Sequence, residues 1–142
     1  MRKTFLMLIM LSVSLIACSN KEAQQTATTP KENGVEVIYF HGKQRCATCV
    51  AIERETEAVI NEQFADAVDS GALEYRIIDI TKAENEPIAD RYEVSWSSLV
   101  LVKYTDGEEE AENLTQFAFG NARNNPELFR KQLTEKINQL LQ

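Results

Sequence analysis

Two short runs decide most of what this chain can become: VEVIYF at Val35–Phe40 and SLVLVKY at Ser98–Tyr104. Both are rich in β-branched and aromatic residues and read as strands, with almost nothing polar to show to water. A sheet built on such strands has to be covered on both sides. That calls for an α/β architecture, with helices above and below a central mixed sheet. At 142 residues the chain has room for one ordinary domain of that kind.

The remaining segments supply the other elements. Ile52, Thr56, Val59, Ile60, Phe64, Ala67 and Val68 recur at spacings of three and four, predicting one helix from about Cys46 to Asp69 that Ser70-Gly71 stops. LEYRIIDI, Leu73–Ile80, reads as a second strand, and KAENEPIADRY as a short helix. After Tyr104, Thr105-Asp106-Gly107 is a tight-turn signal, and EEEAENL would be the charged outer strand of a hairpin, a composition that discourages pairing with other chains. Asn125 offers an N-cap, Pro126 suits the first helical position, and Phe129, Leu133, Ile137 and Leu140 make a last amphipathic helix. The order is β-α-β-α-β-β-α over residues 34–142, with crossovers expected before the second and third strands.

The first segment is of another kind. Arg2 and Lys3 precede an uncharged apolar stretch, Phe5–Ile16, too short to span a bilayer with margin. It ends in Leu15-Ile16-Ala17-Cys18, which resembles the lipobox of bacterial lipoproteins. The resemblance implies a signal peptide over residues 1–17 and a lipid on Cys18. Lipid chains add about 0.8 kcal/mol per buried methylene, enough when several are present to hold a protein on a membrane. Residues 18–33 are polar, lack aromatics and contain Pro30, the composition of a flexible tether. The domain then occupies 34–142, exported and facing the periplasm or the cell surface.

The net charge is −7, from 22 acidic and 15 basic side chains, and loss of Arg2 and Lys3 with the leader makes the remainder more acidic still. Phosphate backbones need clustered Lys and Arg, so nucleic acid is not an expected partner.

With Cys18 lipidated, Cys46 and Cys49 are the remaining thiols, in a compartment where disulfides persist. They form CATC, between the first strand and the first helix, where the spacing is most informative. A thiol at a helix N-terminus faces unpaired amides and the positive end of the helix dipole, which favour the thiolate. Cys46 is so placed, and Lys43 and Arg45 add positive charge beside it in an otherwise acidic chain. Cys49 continues the apolar stripe at Ile52 and should face inward. Other uses of the pair stay open on the residues alone. A structural bridge over so short a loop removes little entropy from the unfolded chain. Two thiolates suit Cu(I), whereas tetrahedral zinc needs two more ligands and His41 is the single histidine; His41 otherwise ends the strand or tunes Cys46.

CATC after a strand, RYEVSWSSLVLVKYTDGEE at Arg91–Glu109, and FAFG ending at Gly120 together resemble the thioredoxin superfamily over residues 34–142. The resemblance implies a thioredoxin-like fold, with Gly120 ahead of the last helix, and thiol-disulfide exchange in which Cys46 is the nucleophile and Cys49 resolves the mixed disulfide. It implies no cofactor and no bound metal. The expected partners are protein thiols or disulfides, an unidentified redox partner, and the membrane through Cys18.

The chain departs from that family in two places. The family's cis-proline before the third strand is replaced by Ser97-Ser98, for which a trans bond is expected, since non-proline cis bonds cost about 2.5–4 kcal/mol. A serine hydroxyl there would hydrogen-bond a thiolate or leave room for a metal, with Trp96 walling the site. The family's buried acid in the first strand is also missing, as Val37, Ile38, Tyr39 and Phe40 are non-acidic, which turns attention to water or Glu53 for proton transfer. The alternative function is a non-catalytic thioredoxin-like module that binds a metal or a partner protein.

Overall fold

The computed structural model describes residues 31–142. The leader, Cys18 and the tether as far as Pro30 lie outside the described residues.

Four strands form one mixed sheet: β1 (Gly34–His41), β2 (Leu73–Asp79), β3 (Ser98–Thr105) and β4 (Glu108–Asn113), in the order β2-β1-β3-β4. β1 is central. It pairs in parallel with β2, Phe40 opposite Ile78, and antiparallel with β3, Phe40 opposite Ser98. Alternation along β1 divides the core in two. Val35, Val37 and Tyr39 face α1 (Ala47–Gln63), α4 (Thr115–Asn121) and α5 (Pro126–Leu140), whose Ile52, Val59, Ala118, Phe129, Leu133 and Ile137 are buried with them. Ile38 and Phe40 face the side of α3 (Glu86–Arg91), packing with Ile78, Val94, Val100 and Val102. Helices on both faces follow from strands that have no face to leave in water.

The connections differ from expectation in one respect that places the site. The passage from β1 to β2 through α1 is a crossover. The passage from β2 to β3 through a 3-10 turn (Ala83–Asn85) and α3 is not, because β3 runs antiparallel and begins at the end of the sheet where β2 stops. The C-terminal ends of β1 and β2 and the start of β3 therefore meet at one edge.

Two helical expectations are corrected. The helix predicted from Cys46 to Asp69 breaks at Phe64, and a separate short helix, α2 (Ala65–Asp69), follows. Phe64 leaves helical geometry, at φ −129° and ψ 16°, while its ring packs into the core. Beyond the break Val68 turns outward instead of continuing the buried stripe. Gly120 lies ahead of the last helix, as the resemblance implies, but inside α4, a short helix that the residue spacing does not reveal. α5 starts after Asn125 with Pro126 in its first turn, but the Asn125 side chain makes no capping bond. The DG hairpin is as expected: Asp106 and Gly107 both have positive φ, 53° and 82°, matching the twist of a two-residue turn.

Candidate redox site

The CxxC lies where β1 hands over to α1. His41 closes β1, accepting the Ile80 N–H on its carbonyl at 2.9 Å, with its ring Nδ1 3.1 Å from the Gly42 carbonyl oxygen. Gly42 to Arg45 then carry the chain out and back, and Cys46 becomes the N-cap of α1 in extended conformation, φ −69° and ψ 162°. Its sulfur accepts the backbone N–H of Cys49 at 3.0 Å, and its carbonyl accepts the N–H of Val50 at 3.0 Å. Cys46 and Cys49 are joined as a disulfide, with Cα atoms 5.0 Å apart. The two halves see different surroundings: Cys46 is exposed, whereas Cys49 is 5% exposed and continues into the buried Ile52.

An open cleft of about 350 Å³ lies over the pair. Gly42 and Gln44 line it from the β1–α1 loop, Ile80 from the end of β2, Ser95 to Ser97 from the approach to β3, and Phe119 from α4. Trp96 is 56% exposed and packs against Phe119 with ring centroids 5.0 Å apart, so it walls the cleft without being part of the core. No peptide bond among the described residues is cis. Ser98 Oγ donates to the Trp96 carbonyl at 3.0 Å and fixes the turn into β3, so its hydroxyl serves the backbone and not a sulfur. Ser97, also buried, lies beside the Tyr39 phenol.

Arg45 and Glu53 form an ion pair, and the Arg45 guanidinium sits 6.0 Å above the Tyr39 ring. The pairing corrects two expectations: part of the Arg45 charge is answered by a carboxylate, and Glu53 is already engaged as an ion-pair acceptor. Lys43 is exposed on the same loop. No group of three or more His, Cys, Asp or Glu side chains among the described residues is arranged to hold a metal.

Sequence reasoning missed Phe119 and Tyr39. Phe119 belongs to the overlooked helix. In the sequence Tyr39 stands out only as a non-acid in the first strand, yet its hydroxyl, fully buried, donates to the Cys49 carbonyl at 2.8 Å. Burial pushes the phenol up, against the hydrogen bonding of Ser97 and the charge and hydrogen bonding of Arg45, so it stays a neutral donor. The available signal was its inward position on β1, one pleat before the strand ends beneath the CxxC.

The comparisons with known proteins address the fold. The solution structure of a thioredoxin-like protein from Clostridium perfringens superposes with a TM-score of 0.51 at 15% sequence identity, covering 90% of this chain and 91% of that one. The fold is thioredoxin-like. Further similar structures are a thioredoxin from Fasciola hepatica, at 21% identity and a TM-score of 0.46 over 75% of this chain and 81% of that one, and a thioredoxin from Thermus thermophilus, at 16% and 0.47 over 75% and 72%. No family model matches the chain, and neither does any curated protein. A thioredoxin-like fold carrying a disulfide-bonded CxxC supports a redox-type function.

Proposed function

We propose that the chain is an exported, membrane-anchored thiol-disulfide oxidoreductase acting on protein thiols or disulfides. One observation carries the reading: the pair is split between a sulfur open to the cleft, with an amide N–H pointed at it, and a partner sulfur buried beneath. Exchange needs that division, because the first thiolate must reach a substrate while the second must wait for the mixed disulfide.

In the reduced protein the Cys46 thiolate attacks one sulfur of a substrate disulfide. The new bond joins Cys46 to the substrate, the substrate's own disulfide breaks, and its second sulfur leaves as a thiolate that takes a proton from water. Cys49 then loses its proton to water and attacks Cys46 Sγ, which releases the second substrate thiolate. Two electrons have passed to the substrate, and an external thiol reductant returns the pair to its starting state. Run backwards, the same steps oxidise a substrate dithiol.

The test is reduction of insulin disulfides by the domain, residues 31–142, with a thiol reductant present. Wild type should turn over, and Cys46→Ser should fall to the reductant-only rate. A wild type no faster than reductant alone overturns the exchange reading. Anchoring is tested separately by the mass of Cys18 in the full chain expressed in bacteria, where a diacylglyceryl addition is expected and an unmodified cysteine overturns it.

A further inference from the structure

The Cys49 carbonyl lies in the first turn of α1, and a helix supplies its own donors to such oxygens. Tyr39 nevertheless reaches it from β1 with a fully buried hydroxyl at 2.8 Å. That oxygen belongs to the peptide joining Cys49 to Val50, whose N–H donates to the Cys46 carbonyl at 3.0 Å. The phenol therefore heads a chain of hydrogen bonds that runs through this peptide and closes the turn between the two cysteines. The same turn aims the Cys49 N–H at Cys46 Sγ.

We propose that Tyr39 is a positioning residue for the Cys46–Cys49 pair, holding the first turn of α1 so that the Cys49 amide stays on Cys46 Sγ when the disulfide opens. The inference rests on the exchange reading of the same two cysteines and adds the residue that sets their redox balance.

The effect falls unequally on the two states. In the oxidised protein the covalent bond between the cysteines already fixes the turn, so the hydrogen bond from Tyr39 adds little constraint. In the reduced protein that tie is gone, and the turn depends on its hydrogen bonds, including the one anchored in the rigid central strand. Hydrogen bonds in a low-dielectric interior also polarise one another, so the donor at one end strengthens the bond at the other. Loss of the hydroxyl should therefore weaken the reduced state more than the oxidised one and tilt the equilibrium toward the disulfide. The Tyr39 ring also underlies Arg45 and touches the site from below, but Phe at position 39 would preserve that ring, so the substitution isolates the hydroxyl.

The experiment is redox equilibration of the domain with glutathione, read by alkylation of free thiols. One protein disulfide and two glutathione thiols exchange with one protein dithiol and one glutathione disulfide, so atoms and electrons balance without a further reagent. Tyr39→Phe is expected to lower the equilibrium constant for reduction roughly threefold to tenfold, the range of a single buried hydrogen bond. A constant within about twofold of wild type in a folded variant overturns the proposal. Should Tyr39→Phe not fold, the hydroxyl proton of wild-type Tyr39 is observed by NMR in the reduced protein. Slow exchange with water is expected, and free exchange overturns the proposal. Equilibration is independent of substrate turnover. An insulin assay that fails beside a shifted equilibrium therefore counts against the exchange function and not against Tyr39.

Discussion

Cys46 Sγ accepts the backbone N–H of Cys49 at 3.0 Å, so a single sulfur is both half of the disulfide and the cap of the helix that follows. Capping is done best by small side chains with an acceptor atom, and replacing such a cap by alanine costs roughly 0.5–2 kcal/mol. Under reducing conditions, where no covalent bond obscures the comparison, Cys46→Ala should lose about 1 kcal/mol of stability. Cys46→Ser should stay within about 0.5 kcal/mol of wild type, because its hydroxyl oxygen can take the same N–H. Urea unfolding of the three proteins with excess reductant measures both, and equal losses in the two variants would remove the capping role.

Trp96 is the single tryptophan of the chain and lines the cleft with both cysteines. A disulfide near an excited indole accepts an electron and quenches its emission, whereas two thiols do so less. Reduction should therefore raise the fluorescence of the domain, and the rise should be absent in the Cys46→Ala, Cys49→Ala double variant. Fluorescence titration with a thiol reductant measures it. An unchanged emission would mean that the indole spends its time away from the pair.

Midway along α1, Glu55 is buried where the helix meets α5. Arg130 Nε donates to one carboxylate oxygen at 2.6 Å and Arg54 to the other at 2.8 Å. Burial pushes the Glu55 carboxyl up, but the hydrogen bonds and charges of Arg130 and Arg54 outweigh it and hold the carboxyl below the usual range. A depressed carboxylate contributes stability above its unfolded value that is lost as pH falls through the folded one. Arg130 is part-exposed, which discounts the loss from Arg130→Met to about 1–2 kcal/mol at neutral pH. The difference from wild type should shrink in acid, once Glu55 is protonated in both proteins. Denaturation midpoints of the pair across that range measure it.

The parts legible in the sequence were those set by local pattern. VEVIYF and SLVLVKY could only be covered strands, DG between two strands could only be a tight turn, and a CxxC after a strand led to a helix cap. What escaped was set by contacts between distant residues. The break at Phe64 exists because its ring turns into a core that the helical spacing alone cannot reveal. α4 is seven residues long, too short for periodicity to register, so Phe119 was missed with it. The roles of Tyr39 and of Arg45 with Glu53 depend on which neighbours the fold brings to them, since a tyrosine in an apolar strand reads as core until its hydroxyl has a partner.

Glu36 is the clearest case of a polar residue hidden in an apolar strand, and it carries the strongest expectation about pH. It lies in β1, 2% exposed, with Tyr104 donating to its carboxylate at 3.2 Å and the Arg76 guanidinium ion-paired with it at 3.8 Å. Burial raises its carboxyl, Arg76 opposes this, Glu74 adds to it, and Tyr104 and Lys31 oppose it; the net direction is upward. A carboxyl raised in the folded state binds its proton more tightly there than in the unfolded chain, where glutamate titrates at about 4.3. Its contribution to stability is then full below the unfolded value and is lost as pH rises through the folded one. Glu36→Gln keeps an acceptor for Tyr104 and abolishes the charge. The variant should therefore match wild type in acid, become the more stable of the two as pH climbs past the ordinary glutamate range, and keep a constant advantage once Glu36 is fully ionised. Urea midpoints of both proteins from about pH 4 to about pH 7 measure the difference. A variant less stable than wild type at neutral pH would show that Arg76 and Tyr104 together more than offset the burial of the charge.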